Sequence, residues 1–341
     1  MTTFKNRYVA LGKESTYGTA VAATTYGEMD DESFSESFDM MNRDDMNLFS
    51  TEKIRTGKHS TSGSVNGVYQ PDFFVMTLMH GVFGRHTPGS TPGVDDKLEH
   101  DVNASVLPSY TIRVGRDDKE VIYPGQVVES ISISANVGEY AMFSASLVGC
   151  KTTTTFATLA TATHTYAGDA AHFVGAYVNF EDTATSSANS ALVQSVDFEI
   201  KTNRDTDQAY TLGDDTYIRA PPMQRLEVSG NLTFHKAVLA ADVAVDEPTY
   251  AELLAGHLND GTAANPAISI LLEVDSNNKA RFDFFSVHYG TPSTNVSGRD
   301  SQTMSVPFTA LYDASEGQIA LVTFSSADTK LKGGGAVDMD A

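Results

Sequence analysis

The sequence contains no tryptophan, one cysteine and no long apolar run. The single cysteine, Cys150, excludes a disulfide within one chain and any zinc site built from cysteines. No stretch approaches the ~18 apolar residues that a membrane-spanning helix needs. Residues 1–7 also lack the apolar segment of a signal peptide. These absences predict a protein that is soluble where it is made and does not insert into a membrane.

Basic residues are the scarcer charged class, with 23 Lys and Arg against 44 Asp and Glu and a formal net charge of −21. Proteins that bind in the grooves of nucleic acids need clustered Lys and Arg to displace counterions. The charge therefore argues against groove binding, although it permits DNA to pass nearby without sticking. An acidic chain also suits ordinary solubility or a salty milieu.

Motifs of the common catalytic classes are missing as well. No phosphate-binding loop, G-x-S-x-G or H-E-x-x-H motif occurs. The nine histidines are scattered, and acidic pairs such as Asp117-Asp118 lie in turn-like segments without the spacing of a calcium loop. We therefore predict a protein that is not an enzyme and that has no catalytic residue, cofactor or metal ligand.

The chain is rich in apolar–polar alternation with a period of two, which is typical of half-buried β-strands. Helical spacing occurs in two short segments, residues 71–80 and 248–255. The sequence predicts a mainly β fold of two tandem β-sandwich or open-barrel domains, each flanked by one short α-helix. The predicted strands are residues 62–69, 110–114, 127–134, 141–148, 193–201, 226–234, 268–274, 280–289, 303–312 and 318–324.

The chain also repeats itself, because five short segments recur in the same order roughly 160 to 175 residues later. The matching segments are 8–11 and 177–180, 42–44 and 203–205, 62–63 and 229–230, 78–81 and 253–256, and 143–145 and 308–310. A period this long indicates a duplicated domain rather than a solenoid. We predict a first domain at residues 1–150, a linker at 151–174, a second domain at 175–330 and a tail at 331–341.

One strand in each half has a polar and an apolar face, because side chains alternate across a strand. The apolar sets are predicted to face inward: Val196, Phe198 and Ile200 in one half, and Phe34, Phe38 and Met40 in the other. The opposed polar sets are Ser195, Asp197 and Glu199, and Ser35, Ser37 and Asp39. A long polar loop follows each strand, at residues 40–59 and 202–225. A long loop at the same place in both halves indicates a functional role.

Two segments resemble a known family. They are Ala-Leu-Gly-Lys-Glu-Ser-Thr-Tyr-Gly-Thr-Ala at residues 10–20, and the run from Val-Gly-Arg-Asp-Asp-Lys-Glu at 114–120 through Tyr-Pro-Gly at 123–125 to Val-Glu-Ser-Ile-Ser-Ile-Ser at 128–134. They resemble the tail tube (major tail) proteins of long-tailed viruses of bacteria and archaea. The resemblance is clearest over residues 7–150 and, through the duplication, weaker over 175–325.

The resemblance implies β-sandwich domains packed in rings, whose inner sheets join into a continuous barrel around a lumen. Rings stack through a long loop, other tail proteins bind the tube ends, and viral DNA passes through the lumen without specific binding. Single-domain members use six copies per ring, so a duplicated chain predicts homotrimeric, pseudo-hexameric rings, with hexameric rings as the alternative. The expected location is the virion tail, after synthesis in the host cytoplasm.

The resemblance also gives roles to the loops and the polar faces. The loop residues expected to bridge stacked rings are Asn42, Arg43, Asp44, Asp45, Asn203, Arg204 and Asp205. The residues expected to line an acidic or neutral lumen are Ser35, Ser37, Asp39, Ser195, Asp197 and Glu199. The alternative function is another virion structural protein or a carbohydrate-binding tandem β-sandwich. The lack of tryptophan counts against carbohydrate binding, because such proteins usually expose aromatic platforms.

Overall fold

The structure is a computed structural model, and it describes residues 7–43, 46, 53–91, 93–100, 107–153, 156–180, 193–213, 218–235, 267–291, 293–295, 303–332 and 339. The fold of these residues is mainly β, as the alternation predicts. The strands of the first half are β1 Tyr8–Lys13, β2 Thr25–Gly27, β3 Asp31–Glu32, β4 Ser35–Arg43, β5 Lys53–Val68, β6 Gly84–Thr87, β7 Asp96–His100, β8 Tyr110–Arg116, β9 Lys119–Asn136 and β10 Met142–Gly149.

The strands of the second half follow the predicted linker. They are β11 Ala176–Phe180, β12 Val193–Lys201, β13 Glu227–His235, β14 Ile268–Asp275, β15 Asn278–Phe284, β16 Val287–Tyr289, β17 Ser293–Asn295, β18 Thr303–Ala310 and β19 Ala320–Ser325. Two α-helices are described, α1 Phe73–Phe83 and α2 Thr329–Lys332. Short 3-10 turns lie at Phe173–Gly175 and Asp207–Ala209.

A main sheet runs through both halves of the chain. Its strand order is β16-β18-β13-β12-β9-β10-β5, and β3 and β4 follow one another along the far side of β5. The second layer contains β2-β1-β8 with the first part of β9, and a separate six-stranded sheet ordered β11-β14-β15-β19-β7-β6. β9 passes from one layer to the other near Gly125, which has a φ of 71° that favours glycine.

The hydrophobic core between the layers is shared by the two halves. Tyr69 of the first half packs edge-on against Phe282 of the second, with ring centroids 6.3 Å apart. The six-stranded sheet is also shared, because β19 pairs with β15 on one side and with β7 on the other. Part of the predicted linker lies along the first half, where Ala157 pairs with Glu120. The division into two domains at residues 151–174 stays a prediction.

The strand pairings of the two halves correspond. β4 pairs with β5 and β5 with β10, as β12 pairs with β13 and β13 with β18. In the second layer β1 pairs with β8 and β8 with β9, as β11 pairs with β14 and β14 with β15. All of these pairs are antiparallel. The correspondence is what a duplicated domain predicts.

Helix α1 lies at the position that the helical spacing predicts, and all of its residues are buried. Asp72 caps the helix by accepting a hydrogen bond from the Val75 amide at 2.7 Å. Burial raises the pKa of the Asp72 carboxyl to about 7. The C-terminal end of the chain also caps α1, because Asp328 accepts a hydrogen bond from the Phe73 amide at 2.9 Å. The second predicted helix, residues 248–255, lies outside the described residues.

Glu14, in the first family-like segment, joins three parts of the first half. Its carboxylate is buried and accepts hydrogen bonds from the amides of Gly18 and Gly125 at 2.9 and 2.8 Å. It also accepts bonds from the hydroxyls of Ser109 and Thr111 at 2.8 and 2.7 Å. Four donors satisfy the buried charge, and the carboxylate fixes the bend of β9 relative to β1 and β8.

We expect Glu14→Ala to lower the free energy of unfolding by about 3–5 kcal/mol, because it leaves four donors, three of them in buried hydrogen bonds, without their acceptor. Urea denaturation of the isolated chain measures this change. Glu316→Ala is the matched control, since Glu316 is exposed, and it should change stability by less than about 0.5 kcal/mol. A loss of under 1 kcal/mol for Glu14→Ala would contradict this role.

Candidate assembly surfaces

The face of the main sheet that points away from the core is polar along its whole width. One row across the strands contains Asn66, Ser144, Ser132, Glu199, Ser229, Thr309 and His288. Hydrogen bonds between side chains join neighbouring strands, as from Ser305 to Asn231 at 2.6 Å. Small hydroxyl and amide side chains therefore cover most of this face, with carboxylates and the cation of Lys201 interspersed among them. Towards the ends of β4 and β5 the same face carries Arg43, Lys53 and Arg55.

The structure brings the predicted lumen-lining residues of both halves to this one polar face. Ser195, Asp197 and Glu199 alternate with three buried apolar residues on β12, as predicted. Ser35 and Ser37 lie on the same face through their pairing with Ser62 and Ser60 of β5, and Asp39 lies at a bulge. Glu199 is paired with Lys201 at 2.9 Å, whereas Asp197 is exposed. That this face lines a lumen stays a prediction.

The strands β4 and β5 form a hairpin arm that extends beyond the rest of the main sheet. The arm is defined as β4 together with residues 53–60 of β5. Residues 61–68 of β5 pair with β10, whereas residues 53–62 pair with β4. Segment 202–225 braces the base of the arm, because the Tyr210 hydroxyl donates to the His59 carbonyl at 2.9 Å. The described residues of the polar loop predicted at 40–59, apart from Met46, therefore belong to a two-stranded ribbon.

The arm corrects one prediction from the alternation. Phe34 is buried as expected and packs on Tyr123 with ring centroids 5.4 Å apart. Phe38 and Met40 share its face of the strand but are 47% and 63% exposed. The second layer ends near Tyr123, so it does not reach these two side chains. Ile54, on the same face of the partner strand, is 60% exposed.

The two Asn-Arg-Asp triplets have different surroundings. Asn42 and Arg43 are exposed near the end of the arm, and Asp44 and Asp45 lie outside the described residues.

In the second half, Arg204 is half-buried and bonds to the carbonyls of Val128 and Pro221 at 3.4 and 3.1 Å. Burial lowers the pKa of its guanidinium to about 10. Asn203 bonds to the Arg225 carbonyl, and Asp205 accepts from the Gln224 side chain. The second triplet therefore holds segment 202–225 against its own chain, and a role for either triplet between rings stays a prediction.

The main sheet has two open edges and one internal junction between the halves. Among the described residues, β3 and β4 pair only with β5, and β16 and β17 pair only with β18. At the junction β12, which corresponds to β4, pairs with the second part of β9, which corresponds to β16. Sequence reasoning missed this junction, because nothing in the local pattern of either strand specifies its neighbour.

Within the part of the chain that the structure describes, no group of three or more His, Cys, Asp or Glu could hold a metal ion. Cys150 is buried, and burial raises the pKa of its thiol to about 11. None of the described helices is long and apolar enough to cross a membrane.

The family model for phage tail tube proteins matches residues 5–310. The chain belongs to the phage tail tube protein family. It is a structural protein of the virion tail, and the role of its family is structural rather than catalytic. No curated protein sequence matches this tail tube protein.

Among solved structures, this tail tube protein is similar to a chain of the virion of a native gene transfer agent particle. The two are 12% identical, and the match covers 47% of this chain and 100% of the other, with a TM-score of 0.30. That TM-score is too low to establish a common fold, so membership of the family rests on the sequence match.

The two arginines of the triplets provide a matched pair of variants. We expect Arg204→Ala to lower the free energy of unfolding by about 1–3 kcal/mol, because it removes the hydrogen bonds that hold segment 202–225. Arg43→Ala should change stability by no more than about 0.5 kcal/mol, since Arg43 is exposed. Urea denaturation and limited proteolysis of segment 202–225 measure both effects, and equal behaviour of the two variants would contradict the different surroundings of the triplets.

Proposed function

We propose that the chain polymerises into stacked rings that form the tail tube, with a central channel for genome delivery. The observation that carries the proposal is the β9–β12 junction. It joins the main-sheet strands of the two halves edge to edge, and it leaves one edge of each kind open at the two ends of the described main sheet. A second copy can repeat the same junction, with its β3 and β4 beside β16 and β17 of the first. Such a contact is head-to-tail and closes into a ring when the rotation per chain divides a full turn.

The number of strands favours three chains per ring. Among the described residues the main sheet is eight strands wide, so three chains would supply a barrel of 24 strands. At a strand spacing of about 4.8 Å and a tilt of about 40°, the backbone diameter is roughly 48 Å. Side chains from opposite walls occupy roughly 10 Å of this width, which leaves roughly 35–40 Å for a DNA duplex. Rings of six chains are the alternative, and they require either a barrel about twice as wide or a second half that lies outside it.

The polar face of the main sheet suits the wall of such a channel. A basic lining would hold DNA by releasing counterions, whereas hydroxyl, amide and carboxylate groups do not. Closure of the ring also pairs the open edges of the main sheet, which strand-rich proteins otherwise have to protect. The exposed arm would reach the next ring, and other tail proteins would close the two ends of the tube after synthesis in the host cytoplasm.

The repeat of residues 62–63 at 229–230 gives an expected register between chains. Ser62 of β5 corresponds to Ser229 of β13, as the sequence repeat indicates. Ser62 pairs with Ser35, and Ser229 pairs with Glu199. Ser35 therefore occupies on the open edge the position that Glu199 occupies at the junction.

At the junction, Glu199 faces Ser132 of β9. Ser132 pairs with Ser144 of β10, and Ser62 pairs with Val148, four residues further along β10. On β18, Ser229 pairs with Thr309. The residue four positions before Thr309 is Ser305, which pairs with Ser293 of β17. Ser35 of one chain is therefore expected opposite Ser293 of the next.

We expect the double variant Ser35→Cys and Ser293→Cys to crosslink between chains when oxidised, because directly opposed Cβ atoms lie about 4.5–5.5 Å apart in an antiparallel pair. Both sites are exposed, and Cys150, the only native cysteine, is buried. Non-reducing electrophoresis counts the chains, and the ladder should end at a closed trimer.

The comparison variant replaces Ser35 and His288 by cysteine, the pair that the other repeat, of residues 143–145 at 308–310, would place in register. It should crosslink at least about tenfold more slowly, because in the expected register the two positions are separated by roughly 15 Å. A ladder that continues to six chains refutes the trimer. The absence of any crosslink between chains contradicts the edge-to-edge ring.

A second prediction concerns the charge of the channel. We expect virions that carry Asp197→Lys to release DNA more slowly at low salt and to recover at high salt, because the added cations bind phosphates by counterion release. Dye fluorescence on released DNA measures the rate. Asp118→Lys makes the same charge change at an exposed hairpin of the second layer and should leave the rate unchanged. Slowing by both variants, or by neither, would show that Asp197 does not face the channel.

A further inference from the structure

A second exposed apolar cluster lies at the opposite end of the main sheet from the arm. It consists of Val137, Tyr140, Phe173 and Val174, which are between 40% and 63% exposed, and it is called the turn patch. Its aromatic rings form a row, because Tyr140 stacks on His172 and the His172 ring contacts Phe173. The Phe173 amide donates to the Glu139 carbonyl at 3.1 Å, which fixes the 3-10 turn against the β9–β10 turn.

The strand register shows that the arm and the turn patch cannot meet within one chain. Thr61 of β5 pairs with Gly149, and Val68 pairs with Met142 at the other end of β10. The arm extends from the sheet beyond Thr61. The turn patch lies at the other end, beyond Val68 and its partner Met142. Seven residues of strand separate these ends by roughly 23 Å. Copies stacked along the strand direction would bring an arm end of one to a turn end of the next.

The arm is a part of the main sheet that lacks a second layer. The face that carries Phe38, Met40 and Ile54 continues the core face of Phe34. Between Phe34 and Phe38 this face carries Glu36 and His59, which contact each other at 3.3 Å, and beyond them Asn42 and Thr56 are uncharged. Sheets bury such a face against another apolar layer. The turn patch is apolar and exposed at the other end of the same sandwich, where Phe173 and Val174 lead into β11 of the second layer.

We propose that the turn patch is the surface that receives the arm of a second copy of this chain. The inference rests on the proposed stacking of rings and names the surface at which stacking occurs. Phe38, Met40 and Ile54 of one copy cover Val137, Tyr140, Phe173 and Val174 of the next, so the overhanging sheet obtains its missing layer. The described part of each chain has one arm and one turn patch, so the contact is one to one and repeats without limit along the tube.

The test compares exposed positions that tolerate substitution in the free chain. Val174→Asp places a carboxylate in the turn patch, where burial without a partner is costly. Met40→Lys does the same on the arm. Each single variant should lower the fraction of protein in tubes by at least about tenfold, while oxidised Ser35→Cys and Ser293→Cys still close rings. The double variant Met40→Lys and Val174→Asp should restore tubes, because the two charges then meet across the contact.

The matched control is Phe156→Asp, since Phe156 is 55% exposed but lies beside β9 in the second layer. It should form tubes as the unchanged chain does. Sedimentation and negative-stain microscopy separate tubes from rings. Tubes that form normally with Val174→Asp, or a double variant without rescue, overturn the contact but leave the rings intact. Failure of the unchanged chain to form rings overturns both the proposed function and the contact that rests on it.

Discussion

Seven consecutive residue pairs between β9 and β12 join the two halves of the chain into one sheet. The pairing uses backbone groups of two edge strands, which would otherwise remain open to other chains. Because β4, β5 and β10 pair as β12, β13 and β18 do, the same pairing leaves a β4-type edge at one end of the described main sheet and a β16-type edge at the other. The β9–β12 pairing within one chain therefore provides the geometry that we propose for the pairing between chains.

The second layer determines which parts of the apolar face of this sheet are buried within one chain. Where the second layer covers the main sheet, the apolar face is buried, as at Phe34, Phe143 and Phe198. Where the layer ends, the same face continues along the arm and stays exposed. In the proposed tube, the unpaired edges would join neighbouring chains around a ring, and the uncovered face of the arm would contact the next ring. The two kinds of exposed surface would then correspond to two directions of growth.

The sequence allowed the strand faces to be predicted but not the neighbours of the strands. Alternation placed Val196, Phe198 and Ile200 in the core because a period of two is a local property. It failed for Phe38 and Met40 because burial also requires an opposing layer, which no local pattern shows. The similarity of the Asn-Arg-Asp triplets at residues 42–44 and 203–205 predicted two loops with the same role. Arg204 instead binds carbonyls of its own chain, whereas Arg43 is exposed. The β9–β12 pairing joins strands far apart in the chain, and their composition fits many partners equally well.

The central claim is that three chains close the main sheet through a repeat of the β9–β12 junction. Electron cryomicroscopy of the assembled tube tests this most directly, because it shows the number of chains per ring and the strands on both sides of each seam. The account predicts three chains, with β3 and β4 of each beside β16 and β17 of its neighbour, and with Asp197 facing the axis. Six chains per ring with the second half outside the barrel, or seams that leave these edges in solvent, would contradict it.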